Sequence, residues 1–252
     1  MSAPATRTIS AVRFDRSPVI SSIGLTVSFL AVSVGGTLLL GAIAPQLEGK
    51  GRDLLVEAML AGFVLALISV LRWRREAGIN APHDWRHLGL LALPLLITLL
   101  PFAGGFRPVE AGTLGLLIVG YTLNSIAEDG MFRGILPRVL QAKSLIWAVV
   151  LSSLLFGLAH FGNIASRPDQ SFAITAAQSL GAFTEGIGLV MVRLCVASVV
   201  PVMVIHALSD LFLQMGGVPI VLANVIHSVI MLGYGIWLFR RYRPMLTADG
   251  WR

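Results

Sequence analysis

Hydrophobic residues occur along the chain in long runs that short polar segments interrupt. The runs approach or exceed the roughly 20 residues that a helix needs to cross the hydrocarbon core of a bilayer. The breaks carry charged and turn-forming residues, such as Arg72-Trp73-Arg74-Arg75, Asn80-Ala81-Pro82 and Arg167-Pro168-Asp169. The pattern predicts eight transmembrane helices, at about 19–44, 54–71, 88–104, 110–137, 144–162, 172–192, 194–214 and 218–239.

The composition agrees with an all-α, polytopic membrane protein. Of the 252 residues, 56% are hydrophobic and only 13% are charged, whereas about 25% are charged in a typical soluble domain. The formal net charge of +6 does not indicate a nucleic-acid partner, because the basic residues lie in short loops rather than along one polar face. The single cysteine, Cys195, excludes an intrachain disulfide.

The distribution of basic residues predicts the orientation of the helices. With eight helices, 15 of the 19 Lys and Arg residues lie on the side that holds both termini, and 4 lie on the other. Because cytoplasmic loops are enriched in Lys and Arg, we expect both termini in the cytoplasm. The run 19–44 is too long for a secretory signal and is interpreted as the first membrane helix. In a bacterium, the protein would lie in the cytoplasmic (plasma) membrane.

A few ionisable residues lie inside the predicted helices, where charge is expensive and is usually retained for function. Asp129 and Arg133 are four positions apart, so they face one side of a helix and can pair. His206 and Asp210 have the same spacing. The complete set is Glu128, Asp129, Arg133, His160, Glu185, His206, Asp210 and His227.

Several of these residues are predicted to lie at a common depth. At 1.5 Å per residue, Glu128 and His160 lie roughly 22 and 26 Å from the turn near Lys143. Counted from Arg193, His206 and Asp210 lie roughly 20 and 26 Å along the seventh helix. Polar side chains from three helices are therefore expected to meet within about one helical turn, as a shared buried site requires.

Three short motifs resemble those of a known family, the CPBP intramembrane proteases. This family includes CAAX prenyl endopeptidases and bacteriocin-processing or abortive-infection-like membrane proteases. Glu128-Asp129-Gly130-Met131-Phe132-Arg133-Gly134 resembles the family's EExxFRG motif. Phe156-Gly157-Leu158-Ala159-His160 is similar to its FxxxH motif, and His206-Ala207-Leu208-Ser209-Asp210 to its HxxxN or HxxxD motif. The order and separation of the motifs also fit the family.

The resemblance implies an intramembrane endopeptidase that hydrolyses a peptide bond of a membrane-associated or lipidated protein or peptide. In this family's scheme Glu128 would activate a water molecule that His160 holds. His206 and Asp210 would stabilise the oxyanion of the tetrahedral intermediate. The Asp129–Arg133 pair and Phe156 would support the structure, and no cofactor is expected.

Two positions depart from the family pattern. Asp129 stands where the family usually has Glu, and Asp210 stands where the related prenyl proteases have Asn. An ionised carboxylate cannot donate a hydrogen bond, so Asp210 is protonated, orients His206 or belongs to a metal site. A zinc-dependent protease therefore stays an alternative, with the oxygen and nitrogen ligands Glu128, His160, His206 and Asp210.

We interpret the chain as one structural domain with three parts. Residues 1–109 form the N-terminal helices, 110–215 the protease-like core, and 216–252 the last helix with a cytoplasmic tail. His227 has no ionisable partner four positions away and is interpreted as structural. Glu185 is kept outside the catalytic set, although it could line a substrate groove or pair with a basic group.

Two other classes of function stay open at this point. A non-proteolytic membrane scaffold or bacteriocin-immunity protein could keep the same fold and motifs. A small transporter is a weaker alternative, because the chain shows no internal repeat of the kind that many transporters have. The expected partners are the lipid bilayer and a membrane-associated protein or peptide substrate, and no nucleic acid.

Overall fold

The structure is a computed structural model that describes residues 14–47, 49–82, 85–166 and 170–248. The turn predicted at Arg167-Pro168-Asp169 lies outside the described residues.

The described part of the chain is helical, with no strand longer than an isolated bridge between Phe106 and Gly216. This confirms the predicted all-α fold. The α-helices are α1 (Pro18–Ile43), α2 (Lys50–Leu71), α3 (Ala92–Ile97), α4 (Ala111–Asp129), α5 (Leu136–Leu140), α6 (Leu145–Ala159), α7 (Gly162–Ser166), α8 (Phe172–Val196), α9 (Val200–Met215) and α10 (Ile220–Ala248). Two 3₁₀ segments, Trp85–Leu91 and Leu100–Gly104, flank α3, and a π-helix, Gly130–Ile135, joins α4 to α5.

Six helical segments in the described ranges are long and apolar enough to cross a membrane, so the protein is a multi-pass membrane protein. They are Pro18–Ile43, Lys50–Leu71, Arg86–Gly104, Leu145–Ala165, Phe172–Val196 and Ile220–Thr247. The predicted number of eight is therefore only approximate. The fourth predicted run contains Asn124, Glu128 and Asp129, and the seventh forms a helix of only 16 residues, Val200–Met215.

The predicted run 88–104 agrees with the membrane-length segment Arg86–Gly104, in which two 3₁₀ segments flank the short α-helix α3. Other predicted boundaries shift, and the last helix continues to Ala248 rather than ending at 239. The sixth helix continues to Val196 and ends at Ala197, which adopts a left-handed conformation with φ of 55°. The next helix begins at Val200 rather than at 194.

Helix α8 lies at the centre of the bundle. Along its membrane-length window 61% of the residues are buried, against 17% along α10. Its contacts with α6 need small residues, since a Cβ atom on Gly157 would lie 2.6 Å from the Ser179 carbonyl oxygen. Such close approach is how helices associate in lipid, where the hydrophobic effect between helices is weak.

Buried polar contacts hold the loop after α2 against the junction of α8 and α9. The Arg193 guanidinium donates a hydrogen bond from Nη2 to the Glu76 carbonyl oxygen at 2.7 Å. The Val199 N–H donates to the Gly78 carbonyl at 2.9 Å. Arg193 was counted as a loop charge in the sequence, but it lies inside α8 and is 7% exposed.

The start of α4 is fixed by a side-chain cap. Glu110 accepts hydrogen bonds from the backbone N–H groups of Gly112 and Thr113, each at 2.8 Å. These bonds favour the ionised carboxylate and hold the pKa of Glu110 below its usual value. The cap also sets where α4 begins, and thereby the register in which Glu128 and Asp129 reach its other end.

Candidate active site

The first motif lies where an α-helix changes into a π-helix. Glu128 and Asp129 end α4, and the six residues Gly130–Ile135 that follow are all buried. Close packing against α2 requires a glycine at position 130, because a Cβ atom on Gly130 would lie 2.7 Å from Cγ1 of Val64. Pro137 follows in the first turn of α5, where its missing N–H is tolerated. Short π-helical segments are frequent at functional sites, and the sequence pattern did not reveal this one.

Asp129 and Arg133 form a completely buried ion pair. Their side chains are 0% and 1% exposed, and an Arg133 Nη1 atom contacts an Asp129 carboxylate oxygen. The Arg133 Cζ atom lies 4.2 Å above the centre of the Phe156 ring, so the second motif covers the guanidinium. The contact that the i,i+4 spacing predicts is therefore present, although the backbone between the two residues is π-helical rather than α-helical.

The His206 ring lies close to three carboxylates, two from α4 and one from α9. Its Nδ1 atom lies 3.2 Å from Oδ2 of Asp129. Its Nε2 atom lies 3.6 Å from Oδ2 of Asp210 and 3.8 Å from Oε2 of Glu128. Because the Asp129 carboxylate accepts this bond, Nδ1 of His206 is the donor, and Asp129 fixes the orientation of the His206 ring. Sequence reasoning missed this contact, because Asp129 and His206 are 77 positions apart.

His160 lies directly after α6 and opens onto a cavity. Its Nδ1 atom donates to the Phe156 carbonyl oxygen at 3.0 Å, so Nε2 is the ring nitrogen that stays available to another partner. The ring also packs edge-on against Phe156, with 4.9 Å between centroids. The cavity has a volume of about 120 Å³, which is room for several water molecules. Its polar lining consists of Ser33, Thr37, Asp53, Glu57, Asn124, Glu128, His160 and Asn163.

Glu128 is the residue that the two groups share. It lines the cavity together with His160, and its carboxylate also faces Nε2 of His206. His206 and Asp210 do not line that cavity. Glu128 therefore links His160, which lines the cavity, with His206 and Asp210. Its side chain is 19% exposed.

Glu185 and His227 form a contact that the sequence did not predict as a pair. The Glu185 Oε1 atom lies 3.5 Å from Nε2 of His227, and the two residues lie on α8 and α10. His227 thus has an ionisable partner after all, on another helix.

The arrangement bears on the zinc alternative. Within the described ranges, no group of three or more His, Cys, Asp or Glu side chains converges in a way that could hold a metal ion. The four residues of the suggested zinc set are instead divided between the cavity and the His206 cluster. As they stand, these side chains do not fit a tetrahedral site with bonds of about 2 Å.

Together, the helical bundle and its buried carboxylates and histidines define a polytopic membrane protein with a cluster of ionisable side chains inside the bundle. Compared with models of protein families, residues 110–212 match the model described as "Rce1-like: Type II CAAX prenyl endopeptidase Rce1-like". The match covers less than half of the chain but contains all three motifs, and it confirms the resemblance to the CPBP protease family. The family implies a protease. Among curated proteins, no significant match is found.

Proposed function

We propose that the protein is an intramembrane endopeptidase in which Glu128 activates the attacking water. The observation that carries the proposal is the position of Glu128. Glu128 lines a cavity large enough for water, and its Oε2 atom lies 3.8 Å from Nε2 of His206. A general base must lie within hydrogen-bond reach of the proton that it removes from the water, and the oxyanion donor must lie near enough for the same water to attack the carbonyl group beside it. Of the predicted catalytic residues, Glu128 is the one that adjoins both groups of polar side chains.

The proposed reaction uses Glu128, His160 and His206. A water molecule in the cavity is oriented by a hydrogen bond to Nε2 of His160, and it loses a proton to Glu128. The resulting hydroxide attacks the peptide carbonyl, and a protonated His206 donates a hydrogen bond to the oxyanion that forms. Such donors act most strongly in a site without bulk water. Glu128 then transfers its proton to the departing amine, so that the base returns to its starting state.

The contacts of His206 support its part in this scheme. Asp129 holds the Nδ1–H group and favours the protonated ring by its charge. Asp210 lies 3.6 Å from Nε2, which supports a role in positioning His206 rather than a direct bond to the oxyanion. This assignment accommodates the departure from the family pattern at position 210, because a positioning carboxylate need not donate a hydrogen bond.

The substrate is proposed by class. A site within a helical bundle in the bilayer would be reached by a protein or peptide that is itself attached to or inserted in the membrane. The family model is named for CAAX prenyl endopeptidases, so a lipidated C-terminal peptide is one candidate. A membrane-associated leader or bacteriocin peptide is the other, and the cavity does not favour either.

The experiment compares membranes that contain the wild-type protein or Glu128→Gln at matched levels. Mass spectrometry of protein termini would detect the cleavage products. We expect new termini that appear only with the wild type, which would also identify the substrate. Identical termini in both samples, with both proteins inserted and lipidated and leader peptides present, would instead support a scaffold or immunity protein of the same fold.

We expect proteolysis to be independent of zinc. The purified full-length protein in lipid nanodiscs should keep its activity after treatment with dipicolinate and removal of the chelator, because the proposed steps use side chains alone. Metal analysis of the same sample should find far less than one zinc ion per chain. If the treatment abolished activity and added zinc restored it, the nucleophile would be a zinc-bound water and Glu128 would not be needed as the base, because zinc lowers the pKa of a water that it binds.

A further inference from the structure

A groove at the end of α2 combines basic and apolar side chains. Its volume is about 480 Å³, which is within the usual range for sites that bind small molecules. The residues that line it are Leu65, Ile68, Ser69, Arg72, Arg74 and Ile79. The candidate active site uses none of them, and all of them precede the matched segment 110–212.

The groove lies at the level where the headgroups of a bilayer meet the hydrocarbon. Helix α2 has 22 residues, so it is about 33 Å long, close to the roughly 30 Å of the hydrocarbon core. Arg72 follows the last residue of this helix and therefore lies at the level of lipid phosphates. Leu65 comes seven positions earlier, which places it about 10 Å deeper, at the level of the acyl chains.

The two arginines of the groove have no acidic partner among the residues that the structure describes. Both are exposed. Arg74 donates a hydrogen bond from Nε to the Ile79 carbonyl oxygen at 3.4 Å, which leaves its Nη groups available. Arg138, in contrast, pairs with Asp15 at 3.0 Å. The available guanidinium groups of Arg72 and Arg74 have the geometry that binds a phosphate through parallel N–H donors.

The backbone at Arg72 is one that glycine adopts more easily. Arg72 has φ of 58° and ψ of 34°, so α2 ends in the left-handed conformation. Glycine is the usual residue at such a helix end, because a Cβ atom makes this conformation unfavourable. The positive charge of the loop does not require an arginine at this position, since Arg74 and Arg75 also lie there. Backbone strain of this kind indicates a function for the side chain that is retained.

The end of the helix does not prevent an anion from binding in the groove. A helix C-terminus carries about half a negative charge, and the Arg72 N–H already donates to the last-turn carbonyls of Ile68 and Ser69. Glu76, the acidic residue of the same loop, does not line the groove. The two guanidinium groups therefore leave the groove with a net positive charge.

We propose that this groove binds an anionic phospholipid. Arg72 and Arg74 bind its phosphate, and Leu65 and Ile79 contact the upper part of an acyl chain. The apolar lining favours a lipid over a soluble phosphate, which has no acyl chain to place against it. The two arginines favour a headgroup with net negative charge, because the cationic group of a zwitterionic lipid would be repelled.

Native mass spectrometry of the full-length protein in detergent would measure the binding. We expect phosphatidylglycerol to bind at least about tenfold more tightly than phosphatidylcholine with the same acyl chains. The double variant Arg72→Gly/Arg74→Gln should bind phosphatidylglycerol at least about tenfold more weakly than the wild type, because each basic residue near a membrane surface attracts an anionic lipid. Arg75→Gln is the matched control. It removes an equal charge from the same loop but outside the groove, so it should change the affinity by less than about threefold.

The single variant Arg72→Gly separates lipid binding from folding. Glycine relieves the strain of the left-handed conformation, so the melting temperature in detergent without lipid should equal or exceed that of the wild type. The same variant should bind phosphatidylglycerol about fivefold more weakly and should be stabilised less by it, since a ligand stabilises a protein according to its affinity. This variant decides the proposal if the double variant does not fold.

Three outcomes would overturn the proposal. Equal affinity of the wild type for the two lipids would show that the groove does not select a negative headgroup. An equal loss of affinity in Arg75→Gln and in the double variant would show a general effect of the positive loop. Displacement of phosphatidylglycerol by glycerol phosphate at the same concentration would show a site for soluble anions. None of these measurements depends on proteolysis, so their outcome is independent of the proposed function.

Discussion

Glu128→Gln is expected to lower proteolysis by at least about a hundredfold while leaving the protein inserted and folded. General-base catalysis contributes roughly 10²–10⁴-fold to the rate of a reaction of this kind. Glutamine keeps the size and one acceptor oxygen of glutamate, but it cannot take a proton from water. The cavity with His160 should keep its shape, since the substitution changes no packing. Cleavage rates in nanodiscs and the amount of monodisperse protein after extraction would measure the two effects.

Glu110→Gln is the matched control for this experiment. Glu110 is the fully exposed residue just before α4, the helix that Glu128 ends, and it accepts bonds from Gly112 and Thr113 through its side-chain oxygens. Glutamine retains an acceptor there, so activity should stay within a few-fold of the wild type. Equal activity of Glu128→Gln and the wild type would exclude Glu128 as the base. Equal losses in both variants would show a general effect of removing charge from the helix.

The sequence was sufficient to predict most of the helices and some of the side-chain contacts within them. Long apolar runs can be read directly, because a bilayer leaves the backbone few other structures. The i,i+4 spacings predicted which residues share a helix face, and Asp129 and Arg133 do meet. The three motifs also indicated the family, which the match over 110–212 confirms.

The contacts between helices could not be predicted, because they depend on how each helix is rotated about its axis. The hydrogen bond from His206 to Asp129 joins residues 77 positions apart. The pair of Glu185 and His227 depends on glycines that let α8 and α10 approach each other. A common depth, which the helical rise does predict, is necessary for such contacts but does not select a partner.

Local backbone changes were the other features that the pattern did not reveal. The π-helix after Asp129 adds a residue to the turn and so changes which side chains face the site. Its residues are apolar or glycine apart from Arg133, so hydropathy is the same for α- and π-helical geometry. The 3₁₀ segments on either side of α3 were likewise not predicted, because the run that contains Pro94 and Pro101 is apolar in either helical geometry.

Asp129→Ala is expected to reduce both the amount of folded protein and its activity. Arg133 is 1% exposed and would lose the carboxylate that it contacts. Removing one partner of a buried ion pair costs about 3–5 kcal/mol, a large part of the stability of a typical domain. The same substitution also removes the acceptor of the His206 Nδ1–H bond. Fluorescence-detected gel filtration of membrane extracts, together with the cleavage assay, would measure the two losses separately.

The double variant Asp129→Ala/Arg133→Met separates the two roles of Asp129. Replacing both members of a buried ion pair with apolar groups is often neutral for stability, so the protein should return to near wild-type abundance. Proteolysis should stay lost, because His206 still lacks the carboxylate that orients it. Asp15→Ala provides the control, since Asp15 pairs with Arg138 at 3.0 Å in a more exposed position, where such pairs contribute little. Activity that returns together with abundance would show that Asp129 only neutralises Arg133. Normal abundance of the single variant would show that the buried pair is not needed for folding.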